Sequence, residues 1–319
     1  MMDAAKTKAG RAGSAGRAVP SAGGAGVGAG SGAGLGTGAG GRGLAAAGPV
    51  LLRTAIYLFL IAVAVTCLVP FYSMLITSTH ANSDIARKLL IAPGAELVAN
   101  YERLMGTVNI WRGFANSLLI ACTYTVINLY FATLAGYGFS RYDFRYKNGL
   151  FLFVLGTMMI PGQLGIIGFY RLMDFFHMLN TYWPLILPGI SNAFGIFFLR
   201  QIAESSVPRE VVESGRMDGC GELQIFHRLV VPLMAPGIAT LAILTFIGKW
   251  NEFLTPMIIL FENSLQPLPV MIASVKSQFA SDFGAQYVGI VISVVPILIF
   301  FSFMSKRIIS GVAAGSVKG

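Results

Sequence analysis

The sequence predicts an all-α polytopic membrane protein with six transmembrane helices and a cytoplasmic loop between the fourth and the fifth. Of its 319 residues 55% are hydrophobic and 12% charged, and the mean hydropathy is +0.70, a balance foreign to soluble domains. Six runs lack Asp, Glu, Lys and Arg and reach the ~20 residues that cross ~30 Å of hydrocarbon. Each lipid-exposed crossing must satisfy its own backbone hydrogen bonds, and no alternating barrel pattern is seen, so the runs read as helices.

Residues 1–48 are Gly, Ala and Ser with scattered Lys and Arg, a composition unable to bury enough apolar surface to offset chain entropy, and disorder is expected there. Its Gly-x-Gly-x-x-Gly match (Gly36, Gly38, Gly41) follows no strand and reads as chance in a Gly-rich tract. The tract does not read as a signal peptide, because its basic region is long and the first apolar run is long enough to remain as a span. The six-helix domain is placed at 49–310, with spans at 54–79, 113–140, 148–170, 175–199, 229–248 and 283–305. Between the first two, residues 80–112 carry mixed charge with Tyr101 and Trp111 and are expected along the membrane surface. A tail, 311–319, closes the chain.

Lys and Arg orient the spans. With the N-terminus inside, sixteen of 23 fall on the cytoplasmic side, from Lys6 and Arg53 through Arg141, Lys147, Arg200 and Arg216 to Lys306, Arg307 and Lys318. The positive-inside rule therefore puts both termini of this multi-pass chain in the cytoplasm, in an inner or plasma membrane, with lipid as a partner. The net charge of +9 reads as topology rather than nucleic-acid binding, since no single basic face or base-stacking platform is apparent. Cys67, Cys122 and Cys220 suit neither a zinc site nor a disulfide framework, and His177 and His227 show no metal-ligand spacing.

Within the third span, "MMIPGQLGIIG" places Pro161, Gly162 and Gln163 near mid-membrane. Proline removes a helix hydrogen bond there. A broken helix lining a cavity and a proline kink packed against neighbours both fit, and the first makes these residues a pathway element.

The loop of about 203–233 contains "VPREVVESGRMDGCGELQIFHRLVVPL". Pro208 suits a helix start, and Arg209 to Asp218 continues it. Gly219-Cys220-Gly221 breaks it, glycine supplying the positive φ of a tight reversal. Glu222 opens a second helix with Leu223, Phe226 and Val230 on one side until Pro232 interrupts. An interfacial helix pair resting on headgroups fits this pattern too.

The run Glu213-Ser214-Gly215-x-x-Asp218-Gly219, followed by Pro232-Leu233 and Pro236, resembles the EAA loop of ATP-binding-cassette importer permeases, whose usual core is Glu-Ala-Ala-x-x-x-Gly. Ser214 and Gly215 replace the two alanines and Cys220 a further one, so close helix approach survives at slightly lower helix propensity. "LNTYWPLILPGISNAFGIFFLRQ", "WNEFLTP" and the ending "GVAAGSVKG" are similar to the carbohydrate-importer subfamily, specifically the maltose-type second permease subunit. The resemblance runs from about Arg53 to the C-terminus.

This resemblance implies a coupling helix seated in a cleft of a separate ATPase subunit, whose ATP-driven closure swings the permease between inward and outward states. Glu213 and Asp218 would supply polar or charged contacts, Gly215 and Gly219 the close approach and the turn, with Ser214 a small residue that keeps that approach, and Leu223 and Phe226 the packing onto the permease. It also implies a second permease subunit completing a heterodimer, an ATPase dimer that binds the ATP, an extracytoplasmic solute-binding protein, and a tail whose Lys318 contacts the ATPase. No cofactor, metal or catalytic residue is expected on this chain, and no nucleic acid.

Lys249 and Glu252 lie three apart in the fifth span, flanking Trp250 and Asn251. Charges at that depth pair or face a polar cavity, and one helical turn puts the two on one face. A structural ion pair and direct sugar contact both fit. Trp250 offers a face for a sugar ring and Asn251 both donor and acceptor, so Trp250, Asn251 and Glu252 join the pathway candidates. The Gly248-Lys249 pair lacks the upstream glycine of a phosphate-binding loop, so ATP hydrolysis belongs to a partner. An ion-gradient-driven secondary transporter or channel would carry coupling carboxylates and often an internal repeat, whereas Glu252 is the single intramembrane acid found. A membrane-bound enzyme would need a nucleophile, base or metal cluster that the sequence does not present.

Overall fold

The computed structural model describes residues 41–87, 89–278 and 282–316. No strand occurs among them. The helices in chain order are α1 (Gly41–Thr77), α2 (Asn82–Ile85), α3 (Leu97–Thr107), α4 (Ile110–Arg141), α5 (Lys147–Met158), α6 (Ile166–Phe175) and α7 (Trp183–Ile186), then α8 (Ala193–Ser206), α9 (Arg209–Met217), α10 (Glu222–Ile225), α11 (Val231–Trp250), α12 (Leu254–Ile259), α13 (Leu268–Gln278) and α14 (Phe283–Ser316). The chain divides into two units, residues 1–62 and 63–319. In the first, the apolar side chains of α1 from Leu52 to Ala62 are all exposed, as suits a surface solvated by lipid.

Four helical stretches are long and apolar enough to cross a bilayer: Leu52–Thr77, Ile110–Arg141, Trp183–Ser206 and Glu222–Trp250. The pair Lys147–Met158 and Gly162–Phe175, bent by 87°, makes a fifth if it counts as one span, and α14 carries a shorter apolar stretch, Phe283–Ile299. The expected third span is thus broken. Pro161 cannot donate to the α5 ladder, and a 3₁₀ turn, Gly162–Gly165, redirects the chain into α6.

The expected fourth span, 175–199, is displaced. Its first residue ends α6, and His177 and Asn180 adopt positive φ (53° and 58°) in the turn that follows. Pro184 then opens α7, Pro188 sits in the 3₁₀ segment Leu187–Ser191, and Asn192 caps α8 by accepting from the Gly195 N–H at 2.7 Å. Pro184 and Pro188 leave the run apolar, so hydropathy does not register the helix starts they make.

The fifth crossing begins earlier than 229. α10 runs through a π-helical turn, Phe226–Val230, straight into α11, so Pro232 does not interrupt it. Pro232 falls just after the π turn, where the bonding register shifts, so its missing N–H is accommodated without ending the helix.

Both ends of the helical domain extend past expectation. α1 begins at Gly41, inside the stretch expected to be disordered, because Leu44-Ala-Ala-Ala47 are good helix formers; residues 1–40 lie outside the described residues. α14 continues through 311 to Ser316, its Val-Ala-Ala run favouring helix.

Helix α4 is the central post. Its buried residues, Asn116, Ser117, Ile120, Ala121, Asn128, Ala132, Thr133, Gly136 and Tyr137 among them, recur at three- and four-residue spacing and face α8, α11 and α13. Three polar members of this face satisfy backbone groups of neighbouring segments that no helical ladder satisfies. Asn116 donates to the carbonyls of Ser264 (2.9 Å) and Gln266 (3.0 Å), Asn128 to that of Gly189 (3.1 Å), and the Ser117 hydroxyl accepts from the Leu268 N–H (2.8 Å).

One apolar core joins Tyr137, Leu199, Val212, Ile225, Phe226 and Met234; a second, at the other end of α11, joins Leu104, Phe246, Trp250, Leu268 and Val288. The later part of the segment 80–112 packs into this second end. Asn100, fully buried, donates to the carbonyls of Ser78 (2.7 Å) and His80 (3.0 Å), and Leu104 packs toward α14. Asp282 caps α14 through the Ala285 N–H (3.1 Å) and pairs with Arg103 (2.9 Å).

Candidate functional site

Two groups of residues stand out, a turn at one end of α11 and a cavity at the other. The turn begins with α9, which Pro208 precedes and which ends in a Schellman motif. Gly219 has φ +77°, its N–H donates to the Arg216 carbonyl (3.0 Å), and the Cys220 N–H donates to the Gly215 carbonyl (3.0 Å). The glycine stop read from sequence is therefore where the reversal occurs.

The helix has two faces. Val212 and Gly215 are buried, and a Cβ at Gly215 would stand 3.0 Å from Leu229 Cδ1 and 3.2 Å from Ile225 Cγ1, so glycine lets α9 lie on the next helix. Glu213, Ser214, Met217 and Asp218 are exposed. Phe226 packs in the core as expected, within 6.0 Å of the Tyr137 ring. Leu223 does not: it is 64% exposed, and Ile225 is the buried residue beside Phe226. Residues 223 and 225 are 200° apart on a helix, so the one-residue choice of face decides between them.

Arg216 and Glu222 close the turn from its two sides, with Nε to Oε1 at 2.7 Å and Nη2 to Oε2 at 3.3 Å. The Tyr142 hydroxyl also donates to Glu222, and the Arg216 guanidinium lies 5.5 Å from the Tyr142 ring centre. Burial first, and then the hydrogen bonds to Glu222 and Tyr137, push the Tyr142 hydroxyl well above its ordinary pKa. The Glu222 hydrogen bond likewise holds Arg216 above its own, so both stay protonated donors. This cluster ties the α9 turn to the end of α4.

The cavity, about 710 Å³, is lined by Gly162, Gln163 and Gly165 of the broken segment, Phe169 of α6, Pro184 and Pro188, Tyr124 of α4, and Lys249, Glu252 and Thr255 around the end of α11. A second chamber of about 330 Å³ is lined by Tyr124, Asn192, Phe194, Leu244, Thr245, Gly248, Lys249 and Glu252. Pro161 is exposed and directly precedes the lining turn. Lys249 and Glu252 form the ion pair their spacing predicts, Thr255 donates to Glu252 (2.5 Å), and Lys249 Nζ sits 4.5 Å from the Tyr124 ring centre.

Trp250 is not a lining residue. It is 1% exposed, donates to the Ser293 carbonyl (3.1 Å), and packs against Phe114 and Phe246 in the second core. One step along a helix turns 100°, which takes it from the Lys249 side toward α14. Asn251 is exposed at the α11 C-cap and spends its amide on the Ile247 carbonyl (2.9 Å). Lys318 lies outside the described residues. Sequence reasoning missed Tyr124, Asn192 and Thr245 because each sits inside an apolar run. The signal was the four-residue spacing of Tyr124 and Asn128, which puts two polar side chains on one face of α4.

Comparisons with known proteins agree with one another. A family described as the binding-protein-dependent transport system inner membrane component matches residues 128–312. The chain is 34% identical over 271 residues to the arabinooligosaccharides transport system permease protein AraQ of Bacillus subtilis, covering 84% of this chain and 96% of that protein. It is 31% identical over 249 residues to the lactose transport system permease protein LacG of Rhizobium radiobacter, covering 78% and 90%. Its fold is similar, with a TM-score of 0.67 at 22% identity over 80% of this chain and 96% of the other, to a chain in the crystal structure of a bacterial ABC transporter involved in the import of the acidic polysaccharide alginate.

Proposed function

The chain belongs to the inner-membrane component family of binding-protein-dependent transport systems and is a permease subunit of an importer of that kind; we propose that its cargo is a sugar or oligosaccharide and that its 207–233 loop couples it to a separate ATPase. The observation that carries the coupling reading is the two-faced α9 turn. Val212, Gly215, Ile225 and Phe226 anchor it while Glu213, Ser214, Met217, Asp218 and Leu223 face away from the bundle. A polar turn with two exposed apolar side chains, Met217 (83%) and Leu223 (64%), fits a protein cleft better than bulk water.

Six crossings follow if the bent pair and α14 each span, which adds two to the four unbroken stretches. An even number places both termini on the side of the α9 turn, and the Lys/Arg distribution makes that side cytoplasmic. The domain of 49–310 then forms half of a pathway that a second permease completes. An ATPase dimer supplies ATP hydrolysis, an extracytoplasmic binding protein delivers the sugar, and Lys318 in the tail contacts the ATPase. The chain itself is a transport subunit, with no cofactor of its own. Gln163, Gly162 and Glu252 line the pathway, and Pro161 sets the break that opens it.

Vesicle uptake of labelled oligosaccharides, with partner subunits present and ATP inside, tests this reading. Gly219→Pro cannot adopt φ +77° and loses the N–H bonded to Arg216. The variant is expected to assemble and to lose ATP-dependent uptake. Uptake equal to wild type sinks the coupling role of the loop.

A further inference from the structure

The two chambers share three lining residues and no others: Tyr124, Lys249 and Glu252. Lys249 and Glu252 are the only charged residues lining either chamber among the described residues. The pair therefore borders both the space beside the broken segment and the space beside α8.

The pair is held from three elements. Lys249 lies in the last turn of α11, where the helix dipole favours a cation, and its ammonium rests over the Tyr124 ring at 4.5 Å. The ring is fixed on its other features by Asn192, whose amide donates to the Tyr124 hydroxyl at 3.2 Å, and by Gly189, where a Cβ would stand 3.2 Å from Tyr124 Cδ2. Thr255 orients Glu252. Side-chain exposure is 11% for Lys249 and 27% for Glu252, so both groups are largely withdrawn from water yet border open space.

We propose that the Lys249–Glu252 pair, seated on Tyr124, is the charge-selective partition of the pathway, admitting uncharged polyhydroxylated ligands and excluding carboxylate-bearing ones. This deepens the permease reading and rests on it. Two neighbouring hydroxyls can replace the pair's mutual contact, one donating to the Glu252 carboxylate and one accepting from the Lys249 ammonium, and no charge is left unpaired. A ligand carboxylate would instead compete with Glu252 for a single cation. One of the two anions would then stand unpaired in a partly desolvated site, where such a charge is expensive.

The test is binding of labelled oligosaccharides of two to four residues, neutral or bearing a uronate, to the assembled permease–ATPase complex without its binding protein. Wild type is expected to bind the neutral series at least roughly tenfold more tightly, and Lys249→Met to weaken neutral binding by roughly tenfold. Glu252→Gln, which frees the cation while keeping shape, is expected to erase or invert the preference. A merely structural role lowers both series together, so a neutral-to-uronate ratio unchanged in Glu252→Gln overturns the proposal, as does a wild type that prefers uronates. ATP-dependent uptake by the wild-type complex with its binding protein separates the two levels. Its failure removes the importer reading and this inference together, while uptake with an unmoved ratio removes this inference alone.

Discussion

The two ends of α11 carry the same three chemical groups in different surroundings. At the α9 turn a cation, a carboxylate and a tyrosine meet as Arg216, Glu222 and Tyr142; at the cavity they meet as Lys249, Glu252 and Tyr124. Side-chain exposure is 46% and 49% for the first ion pair and 11% and 27% for the second. Water screens the first, so its service is geometric: it clamps α9 to the helix that continues into the membrane and to the end of α4. The second works where an unpaired charge is costly, so its service is electrostatic. Equal chemistry at two depths thus yields a mechanical joint at one end and a filter at the other.

Breaking each pair by one substitution gives the largest contrast. Lys249→Met is expected to lower the stability of the assembled complex by about 2 kcal/mol, less than the ~3–5 kcal/mol of a fully buried pair because Glu252 keeps some contact with solvent. Arg216→Met should leave thermal unfolding nearly unchanged while reducing uptake, since the clamp acts on transmission. Equal losses of melting temperature in both variants would erase the distinction drawn here.

A third pair, Arg103–Asp282, at 42% and 17% exposure, lies between these extremes and responds to acid. Partial burial pushes the Asp282 carboxyl up, but Arg103, the Ala285 N–H and the Asn82 amide outweigh it and hold its pKa below the ordinary value. A carboxyl depressed on folding contributes stability that is fully present above its unfolded pKa of about 4 and is lost as pH falls through its lower folded pKa. Thermal melts should therefore be insensitive to this group from neutrality to about pH 5 and lose its contribution at more acidic pH. Asp282→Asn should flatten that acid limb, and an unchanged limb argues against the pair.

The smallest effect is that of salt on the α9 clamp. A double-mutant cycle of Arg216→Met and Glu222→Gln, read as uptake rate, should show a coupling that shrinks between ~0.05 M and ~0.5 M salt as the Debye length contracts. The cycle for Lys249 and Glu252 should hold steadier over the same range, because partly buried pairs are screened less. Identical salt slopes would mean that the two sites do not differ in depth.

How far these features were legible depends on how local their causes are. Pro208 and Gly219 bound α9 through the backbone geometry of single residues, and Pro161 breaks its span for the same reason, so all three could be read in the chain. Trp250 and Leu223 could not. Each lies one or two positions from a residue that faces the other way, and polar neighbours stand on both sides of it, Lys249 and Asn251 beside Trp250 and Glu222 and Gln224 beside Leu223, so no single polar stripe marks a face. The displaced fourth crossing failed for a related reason: Pro184 and Pro188 sit in an apolar stretch that hydropathy alone reads as continuous.

The sequence by itself determined that this chain is a helical membrane protein, where its polar turn begins and reverses, and that Lys249 and Glu252 share one helix face within reach of each other. Only the tertiary structure decided that Trp250 is core, that Ile225 rather than Leu223 anchors the turn, and that Tyr124 and Asn192 join Lys249 and Glu252 across three helices. The physical reason is the solvent. Lipid and protein interior are both apolar, so hydrophobicity marks which residues are in the membrane but not which way they face.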